Sequence, residues 1–324
     1  MRIASNKISD VARFFHSELG SIYPKSEVDV FVAVSFEEIL GLSKAQLLLK
    51  KDEAMSESEM LRFTAVIKQL KSHRPIHYIF GKADFCGMKL EVNENVLIPR
   101  PETEELVEWI KDDAKTPSSI TPVIPGVAEE HQPSTINHQP SSINHHPSSI
   151  IHHPSSILDI GTGSGCIAIA LKKYFTTTIV SALDVSAKAL EVAKRNAENN
   201  SAAINFIHAD ILHRTQNPSP GKFDVIVSNP PYVRMSEKEM MQKNVLDHEP
   251  HLALFVSDED ALVFYKAIVS FAKEHLHAGG KLYFEVNEAL GTPVKELMVE
   301  NGFGNVELKK DLSGKERMLR GILF

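Results

Sequence analysis

The chain has 324 residues, enough for two domains, and its 43% hydrophobic and 24% charged residues are an ordinary globular balance. No stretch approaches the roughly 18 apolar residues of a membrane span, and the opening MRIASNKISD lacks the apolar core of a secretion signal, so a cytoplasmic protein with no membrane partner is expected. The net charge of −7 argues against an extended nucleic-acid surface, and Cys86 and Cys166, far apart, form neither a disulfide framework nor a metal-ligand pattern.

Residues 1–80 read as a small helical domain. Val11, Phe14 and Phe15 share one face, a second segment spans about Val28 to Leu40, and Met60, Phe63, Ile67 and Leu70 recur at helical spacing behind a capping box of Ser56 and Glu59. Over residues 81–99 the pattern turns to alternation: Leu90, Val92, Val96 and Ile98 surround the polar turn Asn93-Glu94-Asn95, which predicts a linking hairpin. Residues 100–324 form the larger domain. It opens with IPRPETEELVEWI, a helix with Pro101 near its first position and Glu102, Glu104 and Glu105 where the helix dipole favours negative charge.

Residues 131–158 then repeat with a period of seven: HQPSTIN, HQPSSIN, HHPSSII, HHPSSIL. A proline in every copy excludes a continuous helix, and one isoleucine per copy cannot form a coiled-coil seam. Residues 115–154 therefore read as a low-complexity insertion whose last copy runs into a strand. From there strands at Ile157–Ile160, Thr178–Asp184, Ile204–His208, Phe223–Ser228, Lys281–Val286, Asn305–Lys310 and Met318–Phe324 alternate with helices at Ser186–Asn200, Asp260–His277 and Pro293–Asn301, the last capped by Thr292 and stopped by Gly302. The pattern predicts an α/β domain with a doubly wound, seven-stranded, mostly parallel sheet, which binds ligands at the carboxyl ends of its strands.

Three motifs fall at those ends. DIGTGSGC places Gly161, Gly163 and Gly165 in a turn that opens a helix, which lets the backbone approach a ligand closely. Cys166 stands where a dinucleotide fingerprint would have its third glycine, which weakens a nicotinamide reading. Asp184 closes the next strand, either as an acceptor for ribose hydroxyls or as a turn residue, and Asp210 with Ile211 closes the third and could border an adenine. SNPPY closes the fourth. Asn229 precedes a proline, Pro230 and Pro231 have no N–H, and Tyr232 adds a flat ring, so this corner is rich in acceptors and suits a planar guest that brings N–H groups. His73, His77, His248 and His251 show no ligand arrangement, and no metal is assigned. Arg100 fits the pocket entrance or an exposed loop equally well, and Glu249-Pro250 a pocket wall or a turn.

LDIGTGSG, Asp184 and SNPPY in this order resemble the class I S-adenosylmethionine-dependent methyltransferases, and with LIPRPETEELVEW upstream and HEPHLALF downstream the chain resembles the release factor glutamine methyltransferases. The resemblance covers nearly the whole chain except the insertion, and departs from the family at Ala261, where a glycine is common. It implies S-adenosylmethionine as cofactor and class I peptide chain release factors as partners, methylated on the glutamine of a Gly-Gly-Gln motif. It also implies that Gly161, Thr162, Gly163, Ser164 and Gly165 wrap the methionine end of the cofactor, that Asp184 takes its ribose and Ile211 its adenine, and that Asn229, Pro230, Pro231 and Tyr232 form the catalytic glutamine pocket, with Asn229 touching both ligands. Residues 1–80 would dock the substrate. Two rivals remain: an adenine-N6 nucleic-acid methyltransferase, since the same corner serves any planar NH2, and a non-catalytic module that keeps the cofactor fold to hold a partner.

Overall fold

The computed structural model describes residues 5–115, 153–213 and 221–324; the heptad copies from 131 to 151 and most of the insertion lie outside the described residues. The amino-terminal region is helical: α1 (Ile8–Leu19), α2 (Lys25–Leu40), α3 (Lys44–Leu49), α4 (Glu57–Lys71) and α5 (Ile76–Phe80). Ser56 and Glu59 form the expected capping box at the head of α4, and Val11, Phe15, Phe36, Phe63, Ile67 and Leu70 close one apolar core.

The linker differs from expectation. The hairpin is β1 (Lys82–Phe85) with β2 (Met88–Glu91), turning at Cys86-Gly87 and not at Asn93-Glu94-Asn95. Both turn residues have positive φ, 47° and 71°, which a two-residue turn needs to match the strand twist. Asn93 makes a local turn instead, its side-chain oxygen accepting from the Asn95 N–H at 3.0 Å. The alternation misled because Val92, Val96 and Ile98 are buried without a partner strand: they pack on Ala189 and Val192.

The rest of the chain runs α6 (Pro101–Lys115), β3 (Ser156–Ile160), α7 (Cys166–Tyr174), β4 (Ile179–Asp184), α8 (Ala187–Asn199), β5 (Ile204–His208), β6 (Phe223–Ser228), β7 (Val233–Arg234), α9 (Lys243–His248), β8 (Phe255–Val256), α10 (Val263–His275), β9 (Leu276–Glu285), α11 (Gly291–Glu300), β10 (Phe303–Lys310) and β11 (Glu316–Leu323). Seven strands form one sheet in the order β10-β11-β9-β6-β3-β4-β5. It is parallel from β9 to β5, and β11 runs antiparallel to both its neighbours. Successive residues feed opposite faces: Ile157, Val180, Val225 and Tyr283 pack with α6 and α7, while Leu158, Leu183, Ile226 and Phe284 pack with α10 and α11.

One helix cap is also corrected. Thr292 lies inside α11; the chain enters that helix from a short 3-10 turn, Glu288–Leu290, whose cap is Asn287, accepting from the Ala289 N–H at 2.9 Å.

The hairpin is tied to the sheet domain by a side chain that hydrophobic periodicity does not reveal. Asn196 of α8 is fully buried. Its oxygen accepts from the Glu91 N–H at 2.6 Å, and its nitrogen donates to the Glu91 and Ser164 carbonyls, both at 2.9 Å. Asn196 thus joins β2 to the glycine turn after β3. Removing it strands three backbone groups, and each unsatisfied buried group costs about 1–3 kcal/mol. Asn196→Ala is expected to lower unfolding free energy by about 3 kcal/mol in urea titrations and to speed hydrogen exchange at the Glu91 amide; a change below about 1 kcal/mol would show that water replaces it.

Candidate active site

β3 lies between β4 and β6 in parallel register, with Ile160 opposite both Leu183 and Ser228. The turns that leave these strands therefore emerge side by side. End-to-end bonds fix them: the Gly161 and Thr162 N–H groups donate to the Leu183 carbonyl at 2.8 and 3.0 Å, and the buried Ser228 hydroxyl donates to the Ile160 carbonyl at 2.7 Å. Between them lies a cavity with about 220 Å³ of room, far beyond the roughly 10–15 Å³ that one water requires. Its wall includes Gly161, Thr162, Gly163, Ser164, Asp184, Ile211, Asn229, Pro230 and Pro231.

The glycines divide into two kinds. Gly161, Gly163 and Gly165 all have positive φ, 73°, 54° and 83°. A Cβ added at Gly161 or Gly163 would meet nothing within 4 Å, so these two open the backbone toward the cavity. At Gly165 it would come within 3.1 Å of Ile169 and 3.2 Å of Ala193; this glycine lets α7 and α8 close up and lies off the cavity wall. Thr162 turns its hydroxyl into the core, donating to Asp159 at 2.6 Å. Burial pushes the Asp159 carboxyl up to about 7, against that hydrogen bond.

Asp184 is oriented by the backbone: one carboxylate oxygen accepts from the Gly163 N–H and the other from the Ser186 N–H, both at 2.8 Å. Burial raises its pKa, opposed by these two bonds. Asp210 also lines the wall, its carboxylate taking the Leu212 N–H at 2.9 Å and facing His213 at 2.7 Å.

At the SNPPY corner Asn229 Nδ2 donates to the Thr103 hydroxyl at 3.3 Å. Thr103, in the first turn of α6, donates to Glu285 Oε2 at 2.6 Å, and the Tyr232 hydroxyl donates to Glu285 Oε1 at 3.3 Å. Tyr232 packs against the core formed by α10 and α11 and is not part of the cavity wall. Burial and the Glu285 charge hold its phenol well above the usual range. Glu285, at the end of β9, is 1% exposed. Sequence reasoning passed over both Thr103 and Glu285; the signal available was an acid closing the apolar run LYFEV.

The cavity's outer wall comes from residues 95–100 of the linker and from Pro250, Leu252 and Ala253. Arg100 joins the two, its guanidinium on the buried Glu249 carboxylate at 2.6 Å, and the Ile98 N–H donates to the same carboxylate at 3.4 Å.

A glycine turn open to ligand, an oriented acid at the next strand end and an acceptor-rich corner match the needs of a nucleoside cofactor beside an N–H-bearing substrate. Comparison with known proteins agrees. The chain is 42% identical to the release factor glutamine methyltransferase of Flavobacterium psychrophilum over 94% of its own length and 95% of that protein's. The chain belongs to the release factor glutamine methyltransferase family. The counterpart in Bacteroides thetaiotaomicron is 37% identical, over 95% of this chain and 98% of that one. Two family models match: PrmC N-terminal domain over residues 15–81 and Methyltransferase small domain over residues 145–253. The cofactor of this family is S-adenosylmethionine, and the cavity fits it: open backbone at Gly161 and Gly163, and a carboxylate at Asp184 with lone pairs to spare for hydroxyl donors.

Glu285 gives this site a pH signature. Burial, partly offset by Thr103 and Arg317, pushes its carboxyl from 4.5 up to about 7. A carboxyl whose folded pKa is raised holds its proton in the fold where the unfolded chain has lost it. Its stabilising contribution is complete below about 4.5 and is lost as pH rises to about 7, a change on the order of 3 kcal/mol. Glu285→Gln is expected to flatten unfolding free energy against pH between about 5 and 7 in urea titrations at stepped pH; an unchanged slope would mean that Glu285 ionises normally.

Proposed function

We propose that this protein, in the cytoplasm, transfers the methyl group of S-adenosylmethionine to the side-chain amide nitrogen of the glutamine in a Gly-Gly-Gln motif of class I peptide chain release factors. The observation that carries the reading is the SNPPY corner on the same cavity as the glycine turn and Asp184. Bound there, the cofactor supplies a methyl group on a sulfonium, already reactive toward a nucleophile. In this reading Gly161–Gly165 surround the cofactor's methionine end, Gly165 through the shape of the turn, Asp184 accepts from its ribose hydroxyls and Ile211 borders its adenine.

An amide nitrogen is a weak nucleophile, because its lone pair is delocalised into the carbonyl. Positioning must supply most of the acceleration, and alignment alone can remove about 7–11 kcal/mol of barrier. Asn229 Oδ1 and the Pro230 carbonyl accept the two hydrogens of the glutamine NH2 and aim its nitrogen at the methyl group. Pro231 walls the pocket, and Tyr232, whose hydroxyl is held on Glu285, is proposed to offer its ring face to the amide plane. The nitrogen would gain the methyl group as the methyl–sulfur bond breaks, leaving the cofactor as a neutral thioether, and would give up one proton to water, so that no strong general base is needed.

The decisive assay offers labelled cofactor with release factor, DNA and rRNA separately and locates the methyl group by mass spectrometry. The expected outcome is one methyl on the Gly-Gly-Gln glutamine, reduced on the order of 100-fold in Asn229→Ala; methylation of DNA or rRNA but not release factor would replace this reading with the adenine one.

The helical amino-terminal region is proposed to dock the body of the release factor. In support, Leu48 and Leu49 of α3 are 76% and 84% exposed, apolar surface with no internal use. Replacing both by serine is expected to raise KM several-fold for intact release factor, the effect of about 1 kcal/mol of lost apolar contact, and to leave a short Gly-Gly-Gln peptide unaffected. Equal effects on both substrates would end the docking role.

A further inference from the structure

We propose that Thr103 and Glu285 are positioning residues that set the polarity of the Asn229 carboxamide, so that its oxygen and not its nitrogen faces the cavity. The proposal rests on the reading of Asn229 as acceptor for the substrate NH2. A carboxamide's two ends are nearly equal in shape, so packing does not choose between them. Their chemistry is opposite. Turned the wrong way, Asn229 would present donors to a substrate group that also only donates.

The choice is made beside Asn229 by Thr103, which also lines the cavity, and behind Thr103 by Glu285, which does not. Thr103 has one hydroxyl proton, and at 2.6 Å from Glu285 Oε2 that proton points to the carboxylate, which in the ionised form that prevails above about pH 7 can only accept. The Thr103 oxygen is left to face Asn229 with lone pairs, so the atom of Asn229 at 3.3 Å from it is the donor, Nδ2. Oδ1 is thereby turned toward the cavity that Asn229 lines. Glu285 does not line that cavity and acts only through others; its second oxygen holds Tyr232, on the other side of the same corner. Its surroundings explain how it stays in place: Arg317 of β11 offsets the charge, Glu102 of α6 opposes it, and the Tyr265 hydroxyl of α10 takes the Glu285 carbonyl at 3.1 Å. A buried carboxylate is a poor stabiliser, and an apolar side chain of similar size often does better. Its place behind Asn229 is accounted for by direction, not stability.

The test is a set of variants assayed on a Gly-Gly-Gln peptide at about pH 8, where Glu285 is ionised, with kcat and KM measured separately and S-adenosylmethionine affinity measured by calorimetry. Thr103→Val leaves Asn229 Nδ2 without its acceptor, and kcat should fall about tenfold, the worth of one hydrogen bond, with KM and cofactor affinity within about twofold; Thr103→Ser should restore it. Glu285→Met keeps the length of the side chain but removes the acceptor, freeing the Thr103 hydroxyl to donate to Asn229 and turn its oxygen inward, so kcat should fall further than in Thr103→Val. Adding Thr103→Val to Glu285→Met should then raise kcat, because the misdirecting hydroxyl is gone. A double variant slower than both singles would overturn the proposal, as would Thr103→Val at wild-type kcat. Should Glu285→Met fail to fold, Thr103→Val in an Asn229→Ala background decides: less than twofold further loss supports the relay, and a second tenfold loss overturns it. A wild-type protein that does not methylate the peptide would instead remove the functional reading beneath it, and the proposal with it.

Discussion

The site depends on the parallel pairing of β3 with β4 on one side and β6 on the other. Parallel strands send all their carboxyl ends to one edge, so three turns distant in sequence leave the sheet as neighbours. Both faces of such a sheet are covered by helices, which leaves polar chemistry little place except at the strand ends. The bonds from Gly161 and Thr162 to Leu183, and from Ser228 to Ile160, carry the sheet's register into the turns themselves. The cavity's inner wall is therefore fixed by the sheet's own bonding, which suits a reaction whose barrier falls mainly by alignment.

That rigidity is obtained with groups that stability alone would not select. Asp159, Glu249 and Glu285 are buried acids, and all three sit at or behind the cavity. Each is held by directed bonds: Asp159 by Thr162, Glu249 by Arg100 and the Ile98 N–H, Glu285 by Thr103 and Tyr232. Burying a carboxylate costs several kcal/mol even after relaxation. The acids recur where the orientation of a neighbour matters, and in their ionised form they supply what a close-packed apolar wall lacks: a demand that the group opposite be a donor.

The sheet was legible in the sequence because its strands are short apolar runs closed by glycine, aspartate or asparagine, marks that come from burial on both faces and from turn chemistry. The limits of β5 and β6 were read residue for residue. The hairpin was misplaced because burial and strand pairing leave the same period-2 trace: Val96 and Ile98 alternate as a strand would, yet they cover α8 as irregular chain. In the site, the groups that line the cavity were legible as motifs. Thr103, on the wall, and Asn196 and Glu285, off it, were not, because they act through partners 32 to 182 positions away in the chain, and no local spacing records such a pairing. Gly165 shows the reverse limit: part of the glycine motif, it packs two helices together.

The linker joins these observations. Residues 95–100 wall the cavity, and they are held from three directions: by Glu249 through Arg100 and Ile98, by α8 through Val96 and Ile98, and by the helical region through the Tyr78 hydroxyl on the Val96 carbonyl at 2.6 Å. His248, beside Glu249, donates to the Ser72 carbonyl at 3.1 Å and closes the loop from the helical region back to the cavity's outer wall. The amino-terminal helices thus hold both sides of the entrance. The helical region therefore meets the entrance through one hydrogen bond on each side, Tyr78 to Val96 and His248 to Ser72, so the surface proposed to select a partner is tied directly to the opening proposed to admit its glutamine.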